Sequence, residues 1–378
     1  ASNNLAIGYN TLTSNTTGTK NVGIGNYALD ANTDANNNTA VGYAALGANT
    51  TAAASTAIGA YSLDANTTGT SNTAVGYASL GANTTGNLNV AVGNYALDAN
   101  TVGDRNVAVG YNALTAYNPD SNEDSYNVAV GYGAGGNITT GNQNTAVGGN
   151  ALDSTTTGIR NVAIGHNALD ANTTGGSNTA VGRSALGSNT TADNNTAVGR
   201  EALYGNTTGN QNIAIGSYAS HTNTTGNYNV AIGYQTMEEN TTGDSNTAVG
   251  YQALEENTTA DGNTALGYQA LTANTEGHSN TAIGKDSLKT NVDGDRNTAL
   301  GYGALNVANS PNDNTMVGYF AGVALTTGAS NTAVGSYALD AATTGTWHTA
   351  VGYNALGAIT TGNNGTAFGY NALAAATV

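Results

Sequence analysis

A glycine recurs every seventeen residues along almost the whole chain. It lies at 8, 25, 42, 59, 76, 93 and 110, then at 131 and at every seventeenth position to 369, which gives 22 copies with one change of phase. The copy around Gly42 reads Asn-Thr-Ala-Val-Gly-Tyr-Ala-Ala-Leu-Gly-Ala-Asn-Thr-Thr over residues 38–51. A fixed period of this length predicts a repeat array in which each unit packs mainly on its neighbours. We call this residue the anchor glycine and number the coils by it.

The residues on either side of the anchor glycine predict a strand of about six residues. The residue before the glycine is apolar in all 22 copies, and the one before that is alanine in 20. Because side chains alternate along a strand, Thr39, Val41 and Tyr43 share one face, and the alanine and glycine between them share the other. We expect Val41 and Leu46 to fill the coil, Leu46 to begin a second short strand, and another backbone to approach the Ala/Gly face closely.

Asparagine occupies two further fixed places in the repeat. Asn38 stands four residues before the anchor, a position that is Asn in 19 copies. Stacked coils would place these side chains about 4.8 Å apart, so we predict a buried asparagine ladder, with an exposed turn residue as the alternative. Asn49 and the two threonines after it are typical of a turn. Two strands and two turns in 17 residues predict an all-β fold, a parallel β-solenoid of 22 coils.

Composition excludes several classes of function. The net charge is −16, from 8 Lys and Arg against 24 Asp and Glu, which argues against nucleic acid and anionic membrane surfaces as partners. No apolar run approaches the ~20 residues of a membrane span, so we expect no membrane insertion in this segment. The chain starts at Ala1, just before the first repeat, and we expect it to be a segment of a longer protein.

The repeat also predicts self-association. Two Phe, one Trp and two Met cannot build a large core, and one Val and one Leu per coil offset little of the backbone entropy lost on folding. The small Ala/Gly face would allow further burial if several chains packed side by side. We therefore expect a homotrimeric fibre.

The change of phase divides the array. Four extra residues and a proline lie between the anchor glycines at 110 and 131. We expect coils 1–7 over residues 1–116, an inserted surface loop at 117–126 that leaves the stack, and coils 8–22 over residues 127–378.

No catalytic constellation is present, and we expect neither an enzyme nor a cofactor. The four histidines lie at least 55 residues apart in four different slots of the repeat, which excludes the usual spacing of metal ligands. One metal candidate is an acidic cluster in adjacent coils, which would hold Ca²⁺ or form a solvated acidic patch. Its members are Glu238, Glu239, Glu255 and Glu256. Asp120, Glu123 and Asp124 in the inserted loop form a weaker candidate of the same kind.

Tyrosine follows the anchor glycine directly in 12 of the 22 copies. Stacked coils would align Tyr234, Tyr251 and Tyr268 into a strip that could bind a sugar or a protein. The alternative is that the rings pack on each other between coils and cover the shaft.

The run Asn-Thr-Ala-Val-Gly-Tyr-x-Ala-Leu resembles the head repeats of trimeric autotransporter adhesins. The nearest matches to that motif lie at residues 21–25, 89–93 and 161–165. The longer form, with Asn-Thr-Thr-Gly, is similar to repeats in the tail fibres of phages, notably marine cyanophages, and in bacterial surface fibres. The resemblance covers nearly the whole chain and implies a left-handed β-roll that trimerises along its axis. The 17-residue coil is longer than the adhesin head repeat.

The function expected from these features is structural or adhesive. The chain would be an extracellular segment of a virion tail fibre or appendage that spaces or presents a host-binding tip, with a host-surface glycan or protein as a further partner. The passenger head of a bacterial trimeric surface adhesin is the alternative. An ice- or mineral-binding solenoid belongs to a different class, and it is disfavoured because the partner of Thr39 on its face is Val41 and not a second threonine.

Overall fold

The repeat folds into a parallel β-solenoid with one short strand per coil. The computed structural model describes residues 2–122 and 124–377. The chain forms two compact units, Ala1–Asp193 and Asn194–Val378, and the inserted segment lies inside the first. The described residues contain no helix, and hence none long and apolar enough to cross a membrane.

Each unit contains eleven parallel strands. Those of the first unit are β1 Leu5–Ile7, β2 Val22–Ile24, β3 Thr39–Val41, β4 Thr56–Ile58, β5 Thr73–Val75, β6 Val90–Val92, β7 Val107–Val109, β8 Val128–Val130, β9 Thr145–Val147, β10 Val162–Ile164 and β11 Thr179–Val181. Those of the second are β12 Thr196–Val198, β13 Ile213–Ile215, β14 Val230–Ile232, β15 Thr247–Val249, β16 Thr264–Leu266, β17 Thr281–Ile283, β18 Thr298–Leu300, β19 Thr315–Val317, β20 Thr332–Val334, β21 Thr349–Val351 and β22 Thr366–Phe368.

Within each unit, every strand pairs with the strands of the coils before and after it. The register follows the sequence period, so that Thr39 pairs with Thr56 and Val41 with Ile58. Across the insertion the step is longer, and Val107 pairs with Val128. The predicted parallel stacking with a 17-residue period is confirmed.

The strands are shorter than expected, and the second strand is absent. Each has three residues, and the segment around Leu46 is a turn. Ala44 and Leu46 have φ angles of 53° and 51°, in the left-handed region that non-glycine residues rarely adopt. The turn still joins neighbouring coils, because the Leu46 N–H donates to the Ser62 carbonyl at 3.0 Å. The same backbone directs the Leu46 side chain into the coil, where it is fully buried.

The inward and outward faces of the strand are the reverse of those predicted. Ala40 is fully buried, whereas Thr39 and Val41 are half-exposed, so the prediction that Val41 fills the coil is wrong. The coil is narrow, and its interior is filled by columns of alanine, leucine and asparagine. A methyl group fits at the strand position beside the buried leucine, and the one larger side chain there, Met316, is buried where Gly322 replaces that leucine, so the bulkier residues otherwise lie outside. The Ala/Gly face is therefore interior and cannot pack against another chain.

The anchor glycine is required where two coils touch. At Gly148, φ is +132°, and a Cβ there would lie 2.6 Å from the carbonyl oxygen of Gly165 in the next coil. Both the backbone angle and the contact exclude a side chain. The predicted close approach of a backbone to this face is confirmed, and that backbone is the next anchor glycine.

Both asparagine columns are buried, and they form different ladders. The N–H of Asn38 donates to the side-chain oxygen of Asn21 at 3.0 Å, and the Asn38 amide donates to the Ala52 carbonyl at 2.8 Å. The predicted ladder therefore exists, and it joins side chains mainly to backbone, with a side-chain bond in some coils, as where Asn106 donates to the Asn89 side chain at 3.1 Å. The other column forms a ladder from side chain to side chain, in which Asn49 donates to the Asn32 side chain at 3.1 Å. Asn49, expected only to turn the chain, is fully buried.

The insertion begins inside the coil. Tyr117 takes the place of an asparagine in the second column and is fully buried, and Pro119 is also buried. The side-chain oxygen of Asn118 accepts hydrogen bonds from the N–H and the hydroxyl of Thr101 at 3.1 and 2.7 Å. Asp120 and the two residues after it are exposed. The segment is therefore partly anchored in the coil, with Tyr117, Pro119 and Ser125 buried, while Asn118 and Tyr126 are exposed.

Candidate functional site

The outward residues of the strands form a surface without charge. These are the first and third residues of each strand, and we call this surface the outer strand face. In all 22 described strands they are Thr, Val, Ile, Leu or Phe, and each is half-exposed or exposed. Exposure of the third residue reaches 41% at Ile58, 40% at Ile164 and 45% at Leu266. A chain with a net charge of −16 thus keeps the outward strand positions of each unit free of charge.

Tyrosines line the solenoid beside this face. In the first unit they form an unbroken contact series: Tyr9, Tyr27, Tyr43, Tyr61, Tyr77, Tyr95, Tyr111 and Tyr132. The tyrosine alternates between the first and second position after the anchor glycine, and rings in different positions meet edge to face, as at Tyr43 and Tyr61, 5.3 Å apart. Rings in the same position stack, as at Tyr111 and Tyr132, where the interplanar angle is 11°. The slot in the repeat therefore sets the ring geometry.

The strip predicted at Tyr234, Tyr251 and Tyr268 is present. Consecutive ring centroids are 5.6 and 5.2 Å apart, with interplanar angles of 14° and 7°, and the three side chains are 42–46% exposed. In the next coil the ammonium of Lys285 lies 5.4 Å from the Tyr268 centroid and 5.6 Å from that of Tyr302. Because the ring faces are covered by one another, the strip presents ring edges and hydroxyl groups to a partner.

The four glutamates of the acidic cluster lie in adjacent coils as expected. Glu238 and Glu255 are half-buried, and Glu239 and Glu256 are exposed. Burial raises the pKa of Glu255, with the neighbouring glutamates adding to the effect, while a 2.8 Å hydrogen bond from Gln252 opposes it. Within residues 2–122 and 124–377, no group of three or more acidic or histidine side chains has an arrangement that could hold a metal ion. The cluster has the arrangement of an acidic surface and not of an ion cage.

The structure describes two of the three acidic residues of the inserted loop, Asp120 and Asp124. Asp124 forms an ion pair with Arg105 and accepts a 3.1 Å hydrogen bond from the Tyr126 hydroxyl. Asp120 is exposed, and Glu123 lies outside the described residues. The carboxylate of Asp124 is thus already paired with a cation from the preceding coil.

One surface feature was not anticipated from the sequence. A notch of about 400 Å³ opens on coil 8, where Gly133 and Gly136 replace larger residues, and it is flanked by Tyr132, Asn150 and Asp153. The signal in the sequence is the glycine-rich run at 131–136, which departs from the repeat. Glycine is so frequent in the array that this departure does not stand out in the sequence alone.

Comparison with known proteins does not assign a function to this chain. Comparisons with protein-family models and with curated proteins found no match to this chain, so its function must be inferred from the solenoid surface itself.

Proposed function

We propose that the chain is a non-enzymatic fibre segment in which three copies associate through their outer strand faces. The observation that supports this is the absence of charge from the outward positions of all described strands in a strongly acidic chain. Exposed surface on an acidic protein normally carries the charge that keeps the protein soluble and separate. A surface kept free of charge over so many coils is typical of one that is covered in the assembled molecule.

The area available is larger than that of an ordinary surface patch. Seven tyrosines of the contact series in the first unit are 36–64% exposed. A whole aromatic side chain buries roughly 150–250 Å², so these rings alone offer on the order of 700 Å². The largest apolar patch of a typical monomer is about 300–600 Å², and the outer strand face adds to the tyrosines. The trimer contact is thus assigned to the Thr/Val side of the strand, since the Ala/Gly side lies inside the coil.

The fibre would be a left-handed β-roll that spaces or presents a host-binding tip outside the cell. The similarity of the repeat to tail-fibre and trimeric adhesin head repeats supports this role. A virion tail fibre or appendage is our first assignment, and the passenger head of a bacterial surface adhesin is the second. The flanking sequence in the full gene distinguishes them, because an adhesin requires a membrane anchor and a tail fibre requires a virion-attachment region.

Sedimentation equilibrium tests the association. We expect the chain to have three times the mass of one copy. Replacing Ile164 and Ile215, which are 40% and 39% exposed, by Glu should dissociate it, because each copy would bring two unpaired charges into the contact. The control replaces the exposed Thr174 and Thr225 of the same two coils by Glu and should remain trimeric. A monomeric unmodified chain would refute the proposal.

A further inference from the structure

The notch on coil 8 has an aromatic wall with one face open. Tyr132 stacks on Tyr111 of the preceding coil, with the centroids 5.5 Å apart. In the following coil the same slot is occupied by Gly149, and among the described residues the ring contact of Tyr132 is the one with Tyr111, which leaves its second face uncovered by a ring. Tyr132 is 64% exposed, compared with 45% for Tyr111. An uncovered aromatic face beside a cavity is a surface on which a flat apolar face of a ligand can lie.

The other walls of the notch carry polar groups without partners. Asn112 in coil 7 and Asn150 in coil 9 occupy the same slot of the repeat on either side of Gly133. Among the described residues, neither of their side chains makes a hydrogen bond, nor does that of Asp153. Two asparagines of this slot do pair near the end of the second unit, where Asn354 donates to Asn371 at 3.0 Å, whereas the Asn167 side-chain oxygen, one coil after Asn150, has no partner among the described residues. The backbones of Asn112 and Asn150 are two coil rises apart, about 10 Å. The side-chain oxygen of Asn150 reaches to 2.7 Å from where a Cβ of Gly133 would lie, so a ligand in the notch would lie above this glycine and against the two amides.

Glycine alone does not create this opening. Gly303, in the same slot as Gly133, adopts a similar φ of +60°, compared with +62°. There the ring of Phe320 from the next coil fills the gap, and its Cδ1 lies 2.5 Å from the position a Cβ would take. At Gly133 the side-chain oxygen of Asn150 lies 2.7 Å from the corresponding Cβ position, and because this amide is much smaller than a ring the rest of the notch stays open.

We propose that the coil-8 notch binds a neutral pyranose residue of a glycan. One face of the sugar ring, which carries C–H groups, would lie on the open face of Tyr132. The amides of Asn112 and Asn150 can donate to and accept from the sugar hydroxyls, and the Asp153 carboxylate accepts two hydroxyl hydrogen bonds. This combination of one aromatic face with convergent planar polar groups complements a sugar, which has an apolar face and a polar rim.

The charge of the site excludes acidic sugars. None of the residues that line the notch is Lys or Arg, and Asp153 is half-buried there. Burial raises the pKa of Asp153, which reports that its carboxylate is partly desolvated and has no cation beside it. A sialic or uronic acid would place a second carboxylate against that of Asp153, and repulsion between the two like charges would weaken binding. That the glycan lies on a host surface rests on the proposed fibre function, whereas binding in the notch does not.

The experiment is a titration of the full chain with methyl glycosides, followed by saturation-transfer NMR. The probes are methyl glucoside, methyl galactoside and methyl mannoside, with the methyl glycoside of N-acetylneuraminic acid as the acidic comparison. We expect saturable binding of at least one neutral probe with a millimolar Kd and none of the acidic one. Failure of all three neutral probes to bind at tens of millimolar would overturn the proposal.

Matched substitutions locate the binding. Gly136→Thr should abolish it by filling the notch, and Gly47→Thr, in the same slot of coil 3, should leave it unchanged. A Cβ at either site would meet a carbonyl oxygen at 3.2 Å, and at Gly136 it would also lie 3.2 Å from the Asp153 carboxylate, which is part of the proposed site. Threonine already occupies this slot at 13, 115 and 272. Binding that survives Gly136→Thr would place the sugar elsewhere and overturn the assignment.

Two further pairs separate stacking from hydrogen bonding. Tyr132→Ala should weaken binding at least tenfold and Tyr132→Phe should restore most of it, because the ring face is the contact. Asp153→Asn should weaken binding roughly tenfold, whereas Asp64→Asn in the same slot of coil 4 should not. Equal effects of the two Asp substitutions would contradict a role for Asp153.

If sedimentation shows a monomer while these effects remain, the fibre proposal fails and the sugar site stands. If the chain is a trimer and no sugar binds, the sugar site fails and the fibre proposal stands.

Discussion

The asparagine ladder makes a quantitative prediction, because its middle and its end differ by one hydrogen bond. In the middle, Asn66 donates to the Asn49 side chain at 3.1 Å and to the Gly69 carbonyl at 3.0 Å, and it accepts from Asn83 at 2.8 Å. Asn66→Ala removes three hydrogen bonds inside the coil. At about 1 kcal/mol for each, the local free energy of opening should fall by about 3 kcal/mol.

At the end of the ladder the same substitution should cost much less. Asn291 donates to Asn274 at 2.8 Å and to Gly294 at 3.0 Å, but the next coil has Ala308 in this slot. Among the described residues, the side-chain oxygen of Asn291 is therefore buried without a partner. Asn291→Ala loses two bonds, about 2 kcal/mol, and removes an unsatisfied acceptor that costs about 1–3 kcal/mol. The net loss should be about 1 kcal/mol or less.

Hydrogen exchange followed by mass spectrometry measures both effects locally, which matters because long repeat arrays need not unfold in two states. Peptides covering coils 4–5 report on Asn66→Ala, and those covering coils 17–18 report on Asn291→Ala. We expect a difference of about 2 kcal/mol between the two losses in opening free energy. Equal losses would show that side-chain packing, and not the direction of the ladder, determines the stability of this column.

Three other predictions follow from the coil geometry. Gly148→Ala should destabilise its coil by about 2 kcal/mol or more, because of the strained φ and the contact with Gly165, whereas Gly149→Ala, whose Cβ would meet nothing closer than 3.5 Å, should be nearly neutral in the same exchange measurement. Buried His348 replaces a ladder asparagine and accepts from the Gly365 N–H at 3.0 Å, and burial lowers its pKa. The unfolded chain then binds the proton more readily, so coil 21 should lose stability as the pH falls below about 6.5. The measurement is hydrogen exchange from pH 7.5 to 5, corrected for intrinsic exchange rates. His348→Asn should abolish the pH dependence. Finally, Thr39 and its equivalents point outward beside Val41 and not beside a second threonine, so the chain should show no thermal hysteresis, and a measurable freezing gap would revive ice binding.

The stacking of the coils could be predicted from the repeat, whereas the candidate sites could be predicted only in part. The period predicted the register, and the tyrosine slots predicted a strip that the structure contains. The coil-8 notch depends on three things at once: glycines in one coil, a missing ring in the next and short amides on both sides. Each is an ordinary residue in this chain, and only their adjacency in space makes a cavity.

The sequence by itself determined which residues stack on which, because a constant period of 17 aligns like with like in every coil. It also required a glycine at the contact between coils and a leucine inside. The tertiary structure decided which face of the strand points inward. Alternation defines two faces without saying which one is buried. Ala40 faces inward because its methyl group fits beside the buried Leu46, whereas the one larger side chain at this position, Met316, has glycine in place of that leucine. That choice placed the uncharged face outside, where another chain can cover it.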